Sequence, residues 1–235
     1  MEKEVMKFPI VFLPGLMCDS RLFQPQIDML SGQKVIILAP MTGNSNVTGI
    51  ALDLLDSLPN KFELIGLSFG GIVALEMIRL APDRILSLAL LDTSYLSEPP
   101  HISQKRTTQI QAVQDGKLDE VMMHDHIPFY LADGSGSGPI SDLCLTMAKG
   151  MGNDAFIAQS RALISRRDQT KTLKNIKIPT IIICGEHDRL CTVKTHINMA
   201  ELVKGSSLEI IPETGHLPTL ENPKITNRIL KEWLT

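Results

Sequence analysis

An α/β fold, with a doubly wound and mostly parallel sheet and a helical lid insertion, is predicted by three observations. Short apolar runs rich in Ile, Val and Leu alternate with amphipathic segments along the chain. Such nearly uninterrupted runs are typical of strands buried on both faces of a parallel sheet. The alternation breaks at residues 95–174, which include a glycine- and serine-rich tract at 133–138. We therefore expect a core of residues 1–94 and 175–235, with a helical lid of residues 95–174 inserted between core strands.

The strands and helices of the core follow one another in a regular order. Six strands are predicted at residues 10–13, 35–38, 64–67, 85–91, 181–184 and 208–211. Helices are predicted where apolar residues recur at helical spacing, at residues 20–30, 47–58, 70–80 and 223–234. Strand–helix–strand units of this kind place successive strands parallel to one another.

Length, charge and composition fit one α/β domain that carries an insertion. The chain has 235 residues, of which 43% are hydrophobic, enough for a sizeable core. The net charge of −3 predicts neither a nucleic-acid nor a membrane partner. No apolar run approaches the roughly 18 residues of a membrane span, and residues 1–7 do not resemble a signal peptide. We expect a cytoplasmic monomer or homodimer whose four cysteines are free thiols.

The sequence Gly66-Leu67-Ser68-Phe69-Gly70 matches the G-x-S-x-G pattern of a nucleophile elbow. It follows an apolar strand run and opens a helical segment, which is the strand–turn–helix setting that such an elbow requires. The serine of this turn is strained, so the residues two positions away on each side must be small. Ser68 is therefore the candidate nucleophile, and the N–H of Phe69 is a candidate donor to an oxyanion.

A serine nucleophile needs an adjacent base, and His216 is the best placed of the six histidines. It lies just after the last predicted strand and before the last predicted helix. Asp188, which follows the strand at 181–184, is the candidate carboxylate that orients this base. Asp92 ends the strand at 85–91 and remains the alternative.

The loop after the first strand is expected to complete the oxyanion site. Gly15 allows the backbone to turn inward, which leaves the N–H of Leu16 as the second donor. A metal site is not expected: His124 and His126 flank Asp125, but no further cluster of ligands accompanies them. No cofactor is expected either, because a serine, a base and an acid suffice for acyl transfer.

These motifs together resemble those of the α/β-hydrolase superfamily. The residues that carry the resemblance are Leu13-Pro14-Gly15-Leu16, Gly66-Leu67-Ser68-Phe69-Gly70-Gly71, Gly185-Glu186-His187-Asp188 and Gly215-His216. The order serine, aspartate, histidine along the chain is the order of this fold. Met17-Cys18-Asp19 after the first loop is similar to the small bacterial esterases of the pimeloyl-acyl-carrier-protein methyl ester esterase type. The frequent His-Gly of the family's first loop is Pro14-Gly15 here.

The resemblance implies that the insertion is a lid over an acyl pocket. The residues expected to contact substrate are Leu16, Met122, Phe129, Met147 and Leu217, since methionine in particular adapts to flexible chains. A basic stretch in the insertion is either a solvated face or a contact for a phosphopantetheine or an acidic carrier protein. Its members are Arg161, Arg166, Arg167 and Lys171.

The function expected from the sequence is hydrolysis of a carboxylic ester through an acyl-enzyme. The substrate is expected to be a small acyl ester, free or linked to a carrier protein or to CoA. The same triad also supports lactone, thioester or C–C bond hydrolysis, or a lyase step. A ligand receptor without catalytic activity is the remaining alternative.

Overall fold

The computed structural model describes residues 8–132, 134 and 136–234. The expectation that residues 1–7 contain no signal peptide lies outside the described residues. The glycine- and serine-rich tract at 133–138 lies partly outside them.

Six parallel strands form one sheet in the order β2-β1-β3-β4-β5-β6. The strands are β1 (Ile10–Leu13), β2 (Ile36–Leu38), β3 (Phe62–Leu67), β4 (Ile85–Leu91), β5 (Thr180–Gly185) and β6 (Ser207–Ile211). All five pairings between the described strands are parallel. The predicted α/β class and doubly wound parallel sheet are confirmed, because each strand lies where an apolar run predicts it.

The two edge strands differ from the expectation that every strand is buried on both faces. All three residues of β2 are half-buried, and Ile210 in β6 is 36% exposed. Each of these strands pairs with a single neighbour among the described strands, so its outer side lacks the cover that central strands receive. Burial on both faces holds for β1 and β5.

Helices of the core lie between the strands or follow β6, and all but the two at Val193–Leu202 and Pro218–Glu221 lie close to predicted positions. They are α1 (Gln24–Leu30), α2 (Val47–Ser57), α3 (Phe69–Leu80), α8 (Val193–Leu202), α9 (Pro218–Glu221) and α10 (Pro223–Leu234). The helix predicted at residues 20–30 is divided, since a short 3₁₀ turn at Ser20–Phe23 precedes α1. None of the described helices is both long enough and apolar enough to cross a membrane.

The segment between β4 and β5 is helical. It contains α4 (Pro100–Gln114), α5 (Leu118–Val121), α6 (Pro139–Ile164) and α7 (Thr170–Asn175), and α6 is kinked at Gly152. Its described residues form no strand, as the absence of buried apolar runs predicts. Met122 and Phe156 of this insertion join the same cluster of buried apolar residues as the sheet. The insertion therefore packs on the core, at the edge where the parallel strands end.

Candidate active site

Ser68 lies at the sharp turn between β3 and α3, with φ 53° and ψ −114°. A positive φ is uncommon for a residue other than glycine and is strained. A Cβ atom on Gly70 would lie 2.0 Å from the carbonyl oxygen of Leu13, and one on Gly66 would lie 2.6 Å from the carbonyl oxygen of Gly70. Only glycine fits at both positions, so the two fixed glycines of the motif follow from the close crossing of β1, β3 and α3.

The imidazole of His216 connects Ser68 to Asp188. Its Nε2 lies 2.8 Å from Ser68 Oγ, and its Nδ1 lies 2.8 Å from Asp188 Oδ2. His216 is in the loop between β6 and α9, and Asp188 is in the loop after β5. The fold thus brings together three predicted residues that are far apart in the chain, in a geometry that can pass a proton from the hydroxyl to the ring.

Asp188 is oriented by backbone donors as well as by the histidine. Its Oδ1 accepts hydrogen bonds from the N–H groups of Leu190 (2.8 Å) and Cys191 (3.0 Å), which leaves Oδ2 for His216. Burial raises the pKa of Asp188, but His216 and these two donors outweigh it and hold the pKa below its usual range. The carboxylate is therefore ionised and aimed at the base.

Asp92, the alternative acid, lies beside Asp188 and makes no hydrogen bond with His216. Its Oδ1 accepts from the N–H of Gly185 (2.8 Å). Complete burial, and then the negative charge of Asp188, raise the pKa of Asp92 well above its usual value. This geometry favours Asp188 as the partner of the base, and Asp92 next to it holds its proton more tightly than a free carboxyl group does.

Two groups of three side chains among the described residues have the spacing of metal ligands. They are Asp188, Cys191 and His216, and Asp92, Cys184 and Asp188. Both groups contain Asp188, whose oxygens are already occupied by His216 and two N–H groups. His124 and His126, the histidines that were considered as metal ligands from the sequence, belong to neither group.

Leu16 and Phe69 are positioned as the two oxyanion donors. Leu16 follows β1, Phe69 is the first residue of α3, and both line the same cavity as Ser68. Neither backbone N–H donates to another described residue. Free N–H groups at a helix N-terminus and in an adjacent loop can stabilise negative charge that develops on a substrate oxygen.

Gln159 of α6 holds the loop that carries Leu16. Its Oε1 accepts from the N–H of Met17 (2.9 Å), and its Nε2 donates to the carbonyl oxygen of Met41 (3.1 Å). The side chain is buried. Sequence reasoning missed this residue, because an isolated glutamine in a weakly patterned helix carries no signal of a contact 142 positions away.

A cavity of about 370 Å³ lies beside Ser68, between the sheet edge and the insertion. Leu16 lines it, as expected. Apolar groups, among them those of Ile72, Ile102 and Leu163, form the larger part of its wall, and polar groups form the rest. The charged residues of this wall are Glu98, Lys105, Arg106, Asp125 and Arg166.

The other four residues expected to contact substrate do not line this cavity. Met122, Met147 and Leu217 are buried in the apolar core. Phe129 is 37% exposed, and its ring lies against the cations of Lys105 and Arg189. The structure therefore does not support these four as substrate contacts, because the methionines and Leu217 are used to pack the insertion on the sheet.

The basic stretch of the insertion does not form one face. Arg166 points to the cavity beside Ser68, whereas Arg167 and Lys171 line a separate groove near α3. Arg161 is exposed. The four side chains therefore lie on different surfaces, since the helix that carries Arg161 ends before Arg166.

Glu221 of α9 braces the loop of the base. Its Oε1 accepts from the N–H groups of Gly215 and Leu217, both at 3.1 Å, and its Oε2 accepts from the N–H of Ala132 (2.8 Å). The N–H of His216 itself donates to the carbonyl oxygen of Tyr130 (2.8 Å). Four backbone hydrogen bonds thus link the loop around His216 to α9 and to the insertion.

His196 supports the elbow from α8. Its Nε2 accepts from the N–H of Thr93 (3.1 Å), and Thr93 Oγ1 donates to the carbonyl oxygen of Ser68 (2.7 Å). Burial lowers the pKa of His196, so the ring is neutral and can act as an acceptor. The sequence places this histidine in a helix, but nothing in its pattern reveals these partners.

Comparison with known proteins identifies the family and the fold of the chain. The model of the alpha/beta hydrolase family matches residues 10–229. A 3-oxoadipate enol-lactonase of Acinetobacter baylyi is 25% identical, over 92% of this chain and 84% of its own. A pimeloyl-[acyl-carrier protein] methyl ester esterase of Legionella pneumophila is 24% identical, over 100% of this chain and 98% of its own. A thermophilic esterase from Thermogutta terrifontis has the same fold, with a TM-score of 0.88 at 22% identity over 97% of this chain and 89% of its own.

Proposed function

Because this chain belongs to the alpha/beta hydrolase family, we propose that it is a serine hydrolase that cleaves carboxylic esters. Ser68 is the nucleophile, His216 is the base and Asp188 orients the base. The observation that carries the proposal is the continuous hydrogen-bonded path from Ser68 Oγ through the imidazole to the Asp188 carboxylate, with 2.8 Å at each step. Family membership supports the hydrolase role independently of this path.

The first half of the proposed reaction forms an acyl-enzyme. His216 Nε2 takes the proton of Ser68 as Oγ attacks the ester carbonyl carbon. The ionised Asp188 stabilises the imidazolium that results. Negative charge on the carbonyl oxygen is met by the free N–H groups of Leu16 and Phe69. The alcohol leaves with the proton held on Nε2.

The second half releases the acid. A water molecule gives its proton to His216 Nε2 and attacks the acyl carbon, and the same two N–H groups stabilise the second oxyanion. Collapse of this intermediate breaks the bond to Ser68 Oγ, which recovers its proton from His216. The residues of this chain supply every proton transfer in the cycle.

We propose small acyl esters as the substrates, with the insertion acting as a lid over the cavity. A cavity of about 370 Å³ holds a short acyl chain. Esters linked to a carrier protein or to CoA are included, since a relative is named as an esterase of an acyl-carrier-protein methyl ester. Equal turnover of free and carrier-linked esters would remove the carrier from the proposal.

Lactone opening is the second candidate. The relative named 3-oxoadipate enol-lactonase is 25% identical to this chain. The chemistry differs only in that the leaving alcohol stays attached to the acyl group. A panel of esters and lactones of equal carbon number, compared by kcat/KM, separates the two candidates.

Labelling by a fluorophosphonate tests the nucleophile. The unmodified protein should be labelled and should hydrolyse p-nitrophenyl acetate, whereas Ser68→Ala should do neither. Ser94→Ala is the matched control, because Ser94 lines the same cavity without contacting His216. Labelling of Ser68→Ala at the unmodified rate would contradict the proposal, as would loss of labelling in Ser94→Ala alone.

A further inference from the structure

We propose that the substrate carries a carboxylate on its acyl part, and that a cationic cluster in the cavity wall binds it. The cluster consists of Arg106 of α4, with Arg166 and Glu98 from the two ends of the insertion. This inference rests on the proposed function, since it concerns the substrate of the same site. It narrows the substrate class to half-esters of short dicarboxylic acids.

The cluster holds more positive than negative charge in a sheltered position. Glu98 Oε1 accepts from Arg106 Nε at 2.7 Å, and Glu98 Oε2 pairs with Arg166 Nη1. The side chains are only 1% (Glu98), 15% (Arg106) and 11% (Arg166) exposed. The single carboxylate of Glu98 thus forms ion pairs with two guanidinium groups. A buried charge without a partner is unfavourable, so a second anion completes the cluster.

Arg106 has a free pair of donors to bind that anion. It contacts Glu98 through Nε, and neither Nη1 nor Nη2 makes a hydrogen bond with any described residue. Arg166, by contrast, uses Nε for the carbonyl oxygen of Leu96 (2.9 Å) and Nη1 for Glu98. The planar fork of a guanidinium matches the two oxygens of a carboxylate.

Other groups in the same wall also favour an anion. Lys105 lines the cavity and pairs with Asp125 at 3.1 Å, so these two charges balance. His126 Nε2 and the hydroxyl of Tyr130 are buried and have no hydrogen-bond partner among the described residues. Both residues line the cavity, and both groups can donate a hydrogen bond.

The position of the cluster relates it to the reacting ester. The cavity that Arg106 and Arg166 line is the one that contains Ser68, Leu16 and Phe69. A molecule that reaches from the nucleophile to the arginines therefore stays inside one cavity of about 370 Å³. A carboxylate on the acyl part remains bound through both halves of the reaction, because the acyl group stays on Ser68 until water releases it.

Matched substrates test the inference. The monomethyl esters of succinate, glutarate and adipate are compared with the methyl esters of butyrate, pentanoate and hexanoate, which have equal main-chain length but no second carboxylate. We expect kcat/KM for the best half-ester to exceed that of its neutral partner by about 10-fold or more, since a hydrogen bond to a charged group contributes about 1.5–3 kcal/mol. Arg106→Gln should lower that ratio by about 10- to 100-fold. Arg167→Gln, which removes a neighbouring charge outside the cavity, should leave the ratio unchanged.

A second measurement uses the unmodified protein, in case Arg106→Gln does not fold. Glutaramate, the monoamide of glutarate, should inhibit hydrolysis of p-nitrophenyl acetate competitively at a concentration about 10-fold or more below that of pentanamide, which has the same chain length and no carboxylate. Equal inhibition by glutaramate and pentanamide would overturn the inference, as would a ratio of kcat/KM values that Arg106→Gln does not change. The inference would also fail if esters with the carboxylate on the alcohol part exceeded their neutral partners in kcat/KM by the same factor. If Ser68 is labelled and neutral esters are cleaved equally well, only the carboxylate inference fails; if Ser68 is not labelled, the proposed function fails.

Discussion

Glu221 accepts hydrogen bonds from the N–H groups on both sides of His216, and its other oxygen accepts from Ala132 of the insertion. Replacement by Gln keeps the shape but places an amide NH₂ or a neutral oxygen against these donors. We expect Glu221→Gln to lower kcat about 3- to 10-fold, because each lost charged hydrogen bond is worth about 1.5–3 kcal/mol and part of this loss displaces His216. The melting temperature should fall by about 3–8 °C. Glu201→Gln, at an exposed position of α8, is the control and should change neither value.

The two buried acids should respond differently to removal of their charge. Asp188→Asn should lower kcat by about 10³–10⁴-fold, since an amide no longer stabilises the imidazolium or fixes its tautomer. Asp92→Asn should retain kcat within about 5-fold, because the pKa of Asp92 is raised and an amide resembles its protonated form. Steady-state measurement of kcat for both variants shows which of the two acids supports the base. A larger loss in Asp92→Asn than in Asp188→Asn would reverse the assignment of the acid.

Gly70 should not tolerate even one added methyl group. In Gly70→Ala the new Cβ would lie 2.0 Å from the carbonyl oxygen of Leu13, which belongs to β1 and cannot move freely. We expect a loss of about 3 kcal/mol or more in the free energy of unfolding, measured by urea denaturation. Gly43→Ala is the control, because no atom lies within 4 Å of its added Cβ. Equal stability of the two variants would contradict the close crossing at the elbow.

His126 should make the stability of the protein depend on pH. Burial, and then the charge of Arg106, lower the pKa of His126 from its ordinary value of 6.5 to about 3. Lys105 also lowers this pKa, and Asp125 raises it. The unfolded chain therefore binds a proton below pH 6.5 that the folded protein does not bind. Stability from this residue is complete above pH 6.5 and falls as the pH is lowered toward 3, by about 2 kcal/mol between pH 7 and pH 5.

The variants His126→Gln and His124→Gln test this origin. His126→Gln should lose about 2 kcal/mol less than the unmodified protein between pH 7 and pH 5, because it has no imidazole to protonate. His124 is exposed, so His124→Gln should follow the unmodified protein. Urea denaturation at the two pH values measures the difference. Identical pH dependence in all three proteins would exclude a buried neutral His126.

Much of the catalytic centre could be predicted from the sequence because it depends on local patterns. The elbow requires small residues at fixed distances from Ser68, and apolar runs mark the strands that precede Asp188 and His216. Each of these features depends on residues that are close together in the sequence, so the sequence alone reveals them. The parallel direction of the strands follows from the same alternation of strands and helices.

The supporting residues could not be predicted, because their roles depend on contacts between distant parts of the chain. Gln159 meets Met17 across 142 positions, and Glu221 meets Ala132 across 89. The residues that line the cavity could not be predicted for the same reason. The methionines of the insertion face the core, and charged residues at its two ends, Glu98 and Arg166, meet beside the nucleophile.

The contact between Tyr130 and His216 limits how the insertion can move. The Tyr130 carbonyl oxygen accepts from the His216 N–H at 2.8 Å, and the two rings stack with their centroids 5.9 Å apart. Displacement of the chain at Tyr130 would remove this hydrogen bond and this ring contact from His216. A conformation that is open at Tyr130 would therefore lack a correctly positioned base. A substrate must therefore reach Ser68 through an opening that leaves Tyr130 in place. A ligand that binds beneath Tyr130 and displaces it should inhibit the reaction without occupying the cavity beside Ser68.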